Sequence, residues 1–261
     1  MAFNLASVSN ETRIRAPRIV LLGVEKIGKS TFAASSDAPI FIPMKGEEGI
    51  DSIAVPQFPT CHTLKDVLEA IYSLYSEQHN YGTVVIDSAS ALEPLVWLDV
   101  CQRHSNVDSI EKVGGGYGKG YTEAVSVWRT ISSALDSLRD QRNMASIVIG
   151  HVKVKRFDDP AGPSYDQYQF DINDKAANLL YRWADVILFA NTKVVVKTEE
   201  HFGKEKGRGI DITGGARVLY TQKRPSHPGG GRGVFGQIPY ELPLSWPSFL
   251  DAVQAAGAKV Q

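Results

Sequence analysis

The chain has little cysteine. Only Cys61 and Cys101 occur in 261 residues, far apart. That excludes a disulfide framework and a cysteine-based metal site, and two buried free thiols are expected instead. Charge of one sign is also missing. The formal net charge is −1, so the protein is not coated in positive charge. Any nucleic-acid contact has to come from a local basic patch. Long apolar runs are absent as well: none approaches the ~18 residues of a membrane-spanning helix. Met1 to Ala16 lacks a charged start followed by an apolar block, so no signal peptide is expected. A reducing cytoplasm is the default expectation. Internal repeats are lacking, and the only low-complexity tract is the glycine cluster Gly114–Gly120.

What is present is an ordinary globular composition, with 43% hydrophobic and 22% charged residues. Short apolar runs at Ile19–Leu22, Ile40–Ile42, Thr83–Ile86, Ile147–Ile149 and Val186–Phe189 read as strands buried on both faces. Between them lie helical patterns. Leu64, Val67, Leu68, Ile71, Leu74 and Tyr75 recur at helical spacing after Thr63, a candidate N-cap. Val125, Trp128, Ile131, Leu135 and Leu138 form a second such stripe. Strands alternating with helices predict an α/β fold with a mostly parallel sheet flanked by helices. Beyond Asn191, Val194–Lys197 and Val218–Thr221 read as an antiparallel hairpin extending the sheet around the charged segment Glu199–Gly209. Pro225–Gly236 reads as loop and Pro247–Ala256 as a final helix. One domain over 1–261 is expected: an arm over 1–16, a core over 17–191, and the hairpin and last helix over 192–261.

The most specific motif is Gly23-Val24-Glu25-Lys26-Ile27-Gly28-Lys29-Ser30-Thr31. It fits G-x-x-x-x-G-K-[ST] without mismatch, directly after an apolar strand. Such a loop brings backbone amides against phosphate oxygens, and a Cβ at Gly28 would obstruct that approach. Lys29 reaches the β- and γ-phosphates, and the Ser30 hydroxyl ligates Mg²⁺. Lys26, at the tip, reads as a solvated lysine or as a contact to phosphate or a neighbouring subunit. Thr83-Val84-Val85-Ile86-Asp87 supplies a buried strand ending in an acid, for which Mg²⁺ is the natural counter-charge. Glu47 and Glu48 follow the second strand, so either could orient the attacking water. His151 ends the strand Ile147–Gly150, where a polar side chain can sense the γ-phosphate.

A guanine-reading N-K-x-D, an L-S-G-G-Q-like signature and an arginine-rich lid are all missing. These absences exclude Ras-type GTPases, transport ATPases and small-metabolite kinases. The segment Val84–Leu92 resembles the RecA second acidic motif, including the serine after the aspartate. With the P-loop, Tyr117-Gly118-Lys119-Gly120-Tyr121, Gly150-His151-Val152-Lys153, Arg156-Phe157-Asp158, Tyr165-Asp166 and Trp183-Ala184-Asp185, the chain is similar to phage-encoded RecA-like proteins. These are the short recombinases associated with single-strand annealing. The likeness covers roughly Pro17 to Leu250.

The resemblance implies an ATP- and Mg²⁺-dependent ATPase of RecA-like fold, at work in the cytoplasm of a phage-infected bacterial host. It implies single-stranded DNA, a homo-oligomeric ring or filament, and a single-strand-binding or annealing protein as partners. Glu47 best matches the family's water-polarising acid, with Glu48 the alternative. His151 stands where RecA has glutamine. Arg232, or secondarily Arg224, matches the basic residue that reaches a neighbour's phosphates. Two segments are candidates for strand contact: Ser105–Tyr121, with Lys112 and Lys119, and Val152–Asp174, with Lys153, Lys155 and Arg156. Both read as long loops carrying aromatic residues for base stacking. The other readings are a P-loop NTPase acting on a replisome or packaging protein, and a nucleotide-gated scaffold with little hydrolysis.

Overall fold

The structure is a computed structural model that describes residues 15–257 except 48, 106, 161, 194, 202–203 and 211–213. Chain order gives β1 (Arg18–Gly23), α1 (Lys29–Ala34), β2 (Pro39–Pro43), α2 (Leu64–Ser76), β3 (Thr83–Asp87), α3 (Ala89–Arg103), α4 (Lys119–Arg142) and β4 (Ala145–Gly150). There follow β5 (Val152–Phe157), β6 (Tyr165–Phe170), α5 (Asp174–Trp183), β7 (Val186–Thr192), β8 (Val195–His201) and β9 (Lys204–Ile210). The chain closes with β10 (Arg217–Tyr220), β11 (Gly230–Gly231), β12 (Glu241–Pro243) and α6 (Trp246–Gly257).

The main sheet runs β12-β10-β7-β1-β4-β3-β2, with β11 also on β7. From β7 to β2 every pairing is parallel, as the apolar runs require. β1 is central, and its side chains alternate between layers. Val20 and Leu22 join the core beneath α2, α3, α4 and α5, while Ile19 and Leu21 join the core beneath α1 and α6. Thr63 caps α2 as the spacing predicts: its hydroxyl accepts from the Asp66 amide, and Asp66 accepts in return from the Thr63 amide. At the amino end of β1, the Arg18 guanidinium reaches Asp185 at 2.8 Å and Asp136 at 3.1 Å. This ties β1 to α4 and to the turn before β7.

Four expectations are corrected. β10 does not pair with the strand expected over Val194–Lys197. It adds antiparallel to β7, with Arg217 opposite Thr192. β8 instead pairs with β9, Glu199 opposite Lys206, in a separate two-stranded ribbon. Val194, taken as the first residue of the hairpin, lies outside the described residues. Val152–Asp174 is no structureless loop either, because β5 and β6 pair along their whole length. Ser105–Tyr121 is not one long loop: it holds a 3-10 helix over Ile110–Gly115 and ends inside the first turn of α4. The stretch read as loop, Pro225–Gly236, contains β11 and a 3-10 turn over Gly233–Gly236. The expected last helix is present as α6. The arm over 1–14 lies outside the described residues.

Candidate nucleotide site

β1 ends in a residue that has to be glycine. A Cβ at Gly23 would sit 2.5 Å from the Ala190 carbonyl oxygen of β7. The chain then turns through an exposed tip at Glu25 and Lys26, while Ile27 is buried and anchors the loop. Gly28 has φ 108°, a conformation that side chains rarely adopt. It caps α1 with no side-chain hydrogen bond, so the first-turn amides, Lys29 to Thr31, are left free for an anion.

Lys29 is buried, and its ammonium donates to the carbonyls of Gly23 at 2.9 Å and Val24 at 2.8 Å. Burial lowers its pKa to about 8, against the pull of Asp87, Glu47 and Glu25. Next on α1, the Ser30 hydroxyl donates to the Asp87 carboxylate at 2.7 Å. Burial pushes the Asp87 carboxyl above the ordinary range, and the hydrogen bond from Ser30 does not offset it.

Glu47 follows β2 and reaches under the end of β3. The Ser88 hydroxyl donates to its Oε1 at 2.5 Å, and His151 Nε2 lies 2.9 Å from the same oxygen. Burial raises the Glu47 carboxyl, but the hydrogen bonds from His151 and Ser88 outweigh it and hold the pKa below the usual range. The His151 amide donates to the Ser90 hydroxyl at 3.1 Å. Its Nδ1 is buried without a partner among the described residues. Lys29, Ser30, Glu47, Asp87 and His151 thus converge at one edge of the sheet. Glu48 lies outside the described residues.

A divalent cation fits this donor set. One hydroxyl and one carboxylate, both hard oxygen donors, stand together, and the carboxylate is buried without a cation bonded to it. No cluster of three or more His, Cys, Asp or Glu side chains among the described residues could cage a metal. That suits an ion shared with phosphate oxygens.

Other expected site residues lie elsewhere. Arg232 sits beside the amino end of β7, where its amide donates to the Asp185 carbonyl at 2.9 Å. Its guanidinium donates to the Arg182 carbonyl. That is the sheet edge opposite the phosphate loop. Arg224 stacks over the Tyr240 ring at 4.4 Å. Each basic residue put forward for strand contact has a local partner: Lys112 with Asp108, Lys119 with the Gly114 carbonyl, Lys153 with Asp171, Lys155 with Asp174, and Arg156 with Asp158.

Sequence reasoning missed a pocket of about 190 Å³ beside α1, lined in part by Gly28, Thr31, Arg217, Leu244 and Trp246. No local signal links Arg217 to Gly28. Only the pairing of β10 with β7 brings them together.

No curated protein matches the chain. The sequence pattern of the AAA domain family, by contrast, matches residues 15–233. That span holds the phosphate loop, Glu47, Asp87, His151 and every parallel strand. The chain belongs to the AAA domain family of P-loop nucleotide-binding proteins.

Proposed function

We propose that the chain is a Mg²⁺-dependent ATPase that works in the RecA manner, coupling ATP hydrolysis to single-stranded DNA during annealing or recombination. The carrying observation is the contact between His151 and Glu47 at 2.9 Å. β5, the exposed arm of the β5–β6 ribbon, begins at the very next residue, Val152. A change at Glu47 therefore reaches the ribbon through a single side chain.

The loop amides and Lys29 would hold the triphosphate, while Ser30 and Asp87 would hold the Mg²⁺. The ion would supply charge neutralisation at the phosphates when bound. Glu47 is ionised at neutral pH because its pKa is held down, so it can accept a proton from water. Ser88 and His151 fix the direction of its carboxylate. On the ribbon, Lys155 and Arg156 stand beside Val154 and Phe157, 62% and 37% exposed. Cations for phosphate and an aromatic ring for stacking are what single strands require. Oligomerisation is part of this reading. Arg232 is exposed and far from its own phosphate loop, so it serves a neighbouring subunit's site or none.

A second reading has a specific observation in its favour. The three cations of the ribbon stand among five carboxylates, Asp158, Asp159, Asp166, Asp171 and Asp174. A surface of mixed sign suits a protein partner better than a phosphate backbone. ATP turnover, measured with and without single-stranded DNA for the wild type, Lys29→Ala and Glu47→Gln, decides between them. Stimulation by DNA that both variants lose supports the first reading. Turnover indifferent to DNA supports the second. ATP binding without turnover defeats both and leaves a nucleotide-gated scaffold.

A further inference from the structure

We infer that the pocket between α1 and the turn Leu244–Pro247 seats the base and sugar of the nucleotide, with Trp246 as its stacking wall and Arg217 as its polar contact. This rests on the reading of the phosphate loop as a nucleotide site, and adds the part of the ligand that the loop motif does not address.

The position follows from connectivity. The pocket is lined by Gly28 and Thr31, which also belong to the phosphate loop and the first turn of α1. A triphosphate held by that turn therefore has its nucleoside end at the mouth of the pocket. The size agrees. A volume of about 190 Å³ is smaller than the ~300–1,000 Å³ of sites that enclose a drug-sized ligand. It suits a base with part of its sugar, the phosphates lying outside on the loop.

The walls have the right chemistry. Trp246 opens α6 and is half-buried. Its ring meets Phe32 edge-on at 5.5 Å and Phe249 at 5.5 Å. Those contacts fix the ring before any ligand arrives, so stacking costs little side-chain entropy. Leu244 and Pro247 add apolar surface.

Arg217 is the one charged side chain of the lining. Its Nη1 would lie 3.1 Å from a Cβ built on Gly28, which puts the guanidinium against the loop itself. It has no hydrogen-bond or ion-pair partner among the described residues. Its place is set by main-chain bonding: Arg217 pairs with Thr192, and its carbonyl accepts from the Leu244 amide at 3.1 Å. The sheet thus presents an unengaged planar cation where the nucleoside meets its first phosphate.

The test uses the full chain with two probes, ATP and inorganic tripolyphosphate, and measures binding by calorimetry. Arg217→Ala alters an exposed side chain, and Trp246→Ala is paired with Trp246→Phe to preserve packing. Melting curves confirm folding. Arg217→Ala and Trp246→Ala are expected to weaken ATP about tenfold and leave tripolyphosphate unchanged, with Trp246→Phe close to wild type. Lys29→Ala is expected to weaken both probes. If folded Arg217→Ala and Trp246→Ala bind ATP like wild type while Lys29→Ala does not, the pocket assignment is overturned and the phosphate site stands. If wild type binds neither probe, the nucleotide reading falls and takes the pocket with it.

Discussion

His151 and Glu47 meet across a strand that separates them. β3 lies between β4 and β2 in the sheet, yet His151 Nε2 stands 2.9 Å from Glu47 Oε1. The Glu47 carboxylate therefore takes its aim from both sides, from Ser88 at the end of β3 and from His151 at the end of β4. Glu47→Gln keeps the shape and loses the base. Turnover is expected to fall by roughly 10²–10⁴-fold, the usual worth of a general base. ATP affinity should stay within a few-fold of wild type. Phosphate release and calorimetry on one preparation check both halves, and unchanged turnover would remove Glu47 from the mechanism.

Asp87 gives a trade between stability and activity. Its carboxyl is raised by burial, so the ionised form costs free energy in the nucleotide-free fold. Asp87→Asn removes that charge and still accepts the hydrogen bond from Ser30. The nucleotide-free variant is expected to be more stable than the wild type at neutral pH and to melt at a higher temperature. Mg²⁺-dependent turnover should disappear. A variant less stable than wild type would mean that Asp87 is held by favourable contacts and does not await a cation.

Lys29 makes stability depend on pH on the alkaline side. Burial brings its folded pKa from 10.5 to about 8. Between those values the unfolded chain binds more protons than the folded one, so the folded state gains stability as pH rises. Compared with Lys29→Met, the wild type is expected to gain up to roughly 3 kcal/mol across that window. Denaturant titrations of both proteins, below pH 8 and near 10.5, read the difference directly. A constant difference would contradict the buried, strained charge.

Glu93 acts in the opposite sense. It is buried in α3, and its two carboxylate oxygens accept from the Asn173 amide at 2.8 and 3.0 Å. Burial nonetheless pushes its pKa from 4.5 to about 7, the hydrogen bond from Asn173 and the charge of Lys153 working against the rise. Here the folded state binds the extra proton, so this group's contribution is lost as pH climbs from 4.5 to 7. Glu93→Gln keeps an acceptor for the Asn173 amide. It should gain on the wild type over that interval by about 2 kcal/mol after allowance for solvent screening. Melting temperatures of the two proteins at both ends of the interval test this.

The parallel core was legible because its signal is local. Strands buried on both faces must be apolar throughout, and the five runs read in sequence coincide with β1, β2, β3, β4 and β7. The phosphate loop was legible for the same reason, since its glycines and lysine act through backbone and spacing. The β5–β6 ribbon was not, because nearly all of β5 is exposed and exposed strands carry no burial pattern. Nor was the pairing of β10 with β7, because register between distant segments is set by tertiary packing. Arg217 and Trp246 were invisible for that reason: their neighbours are chosen by the sheet, not by the motif.

That same pairing has a consequence for how the chain tolerates change. β7 ends opposite the point where β10 starts, and just beyond it the Lys193 amide donates to the Ala216 carbonyl at 3.0 Å. The excursion between them departs and returns through a single doorway. Its length and content can be rewritten, shortened to a tight turn or exchanged for a foreign module, without shifting either hinge post. A lineage or an engineer wishing to attach a new accessory would find the cassette slot there, at the rim, with Glu47 and Asp87 undisturbed.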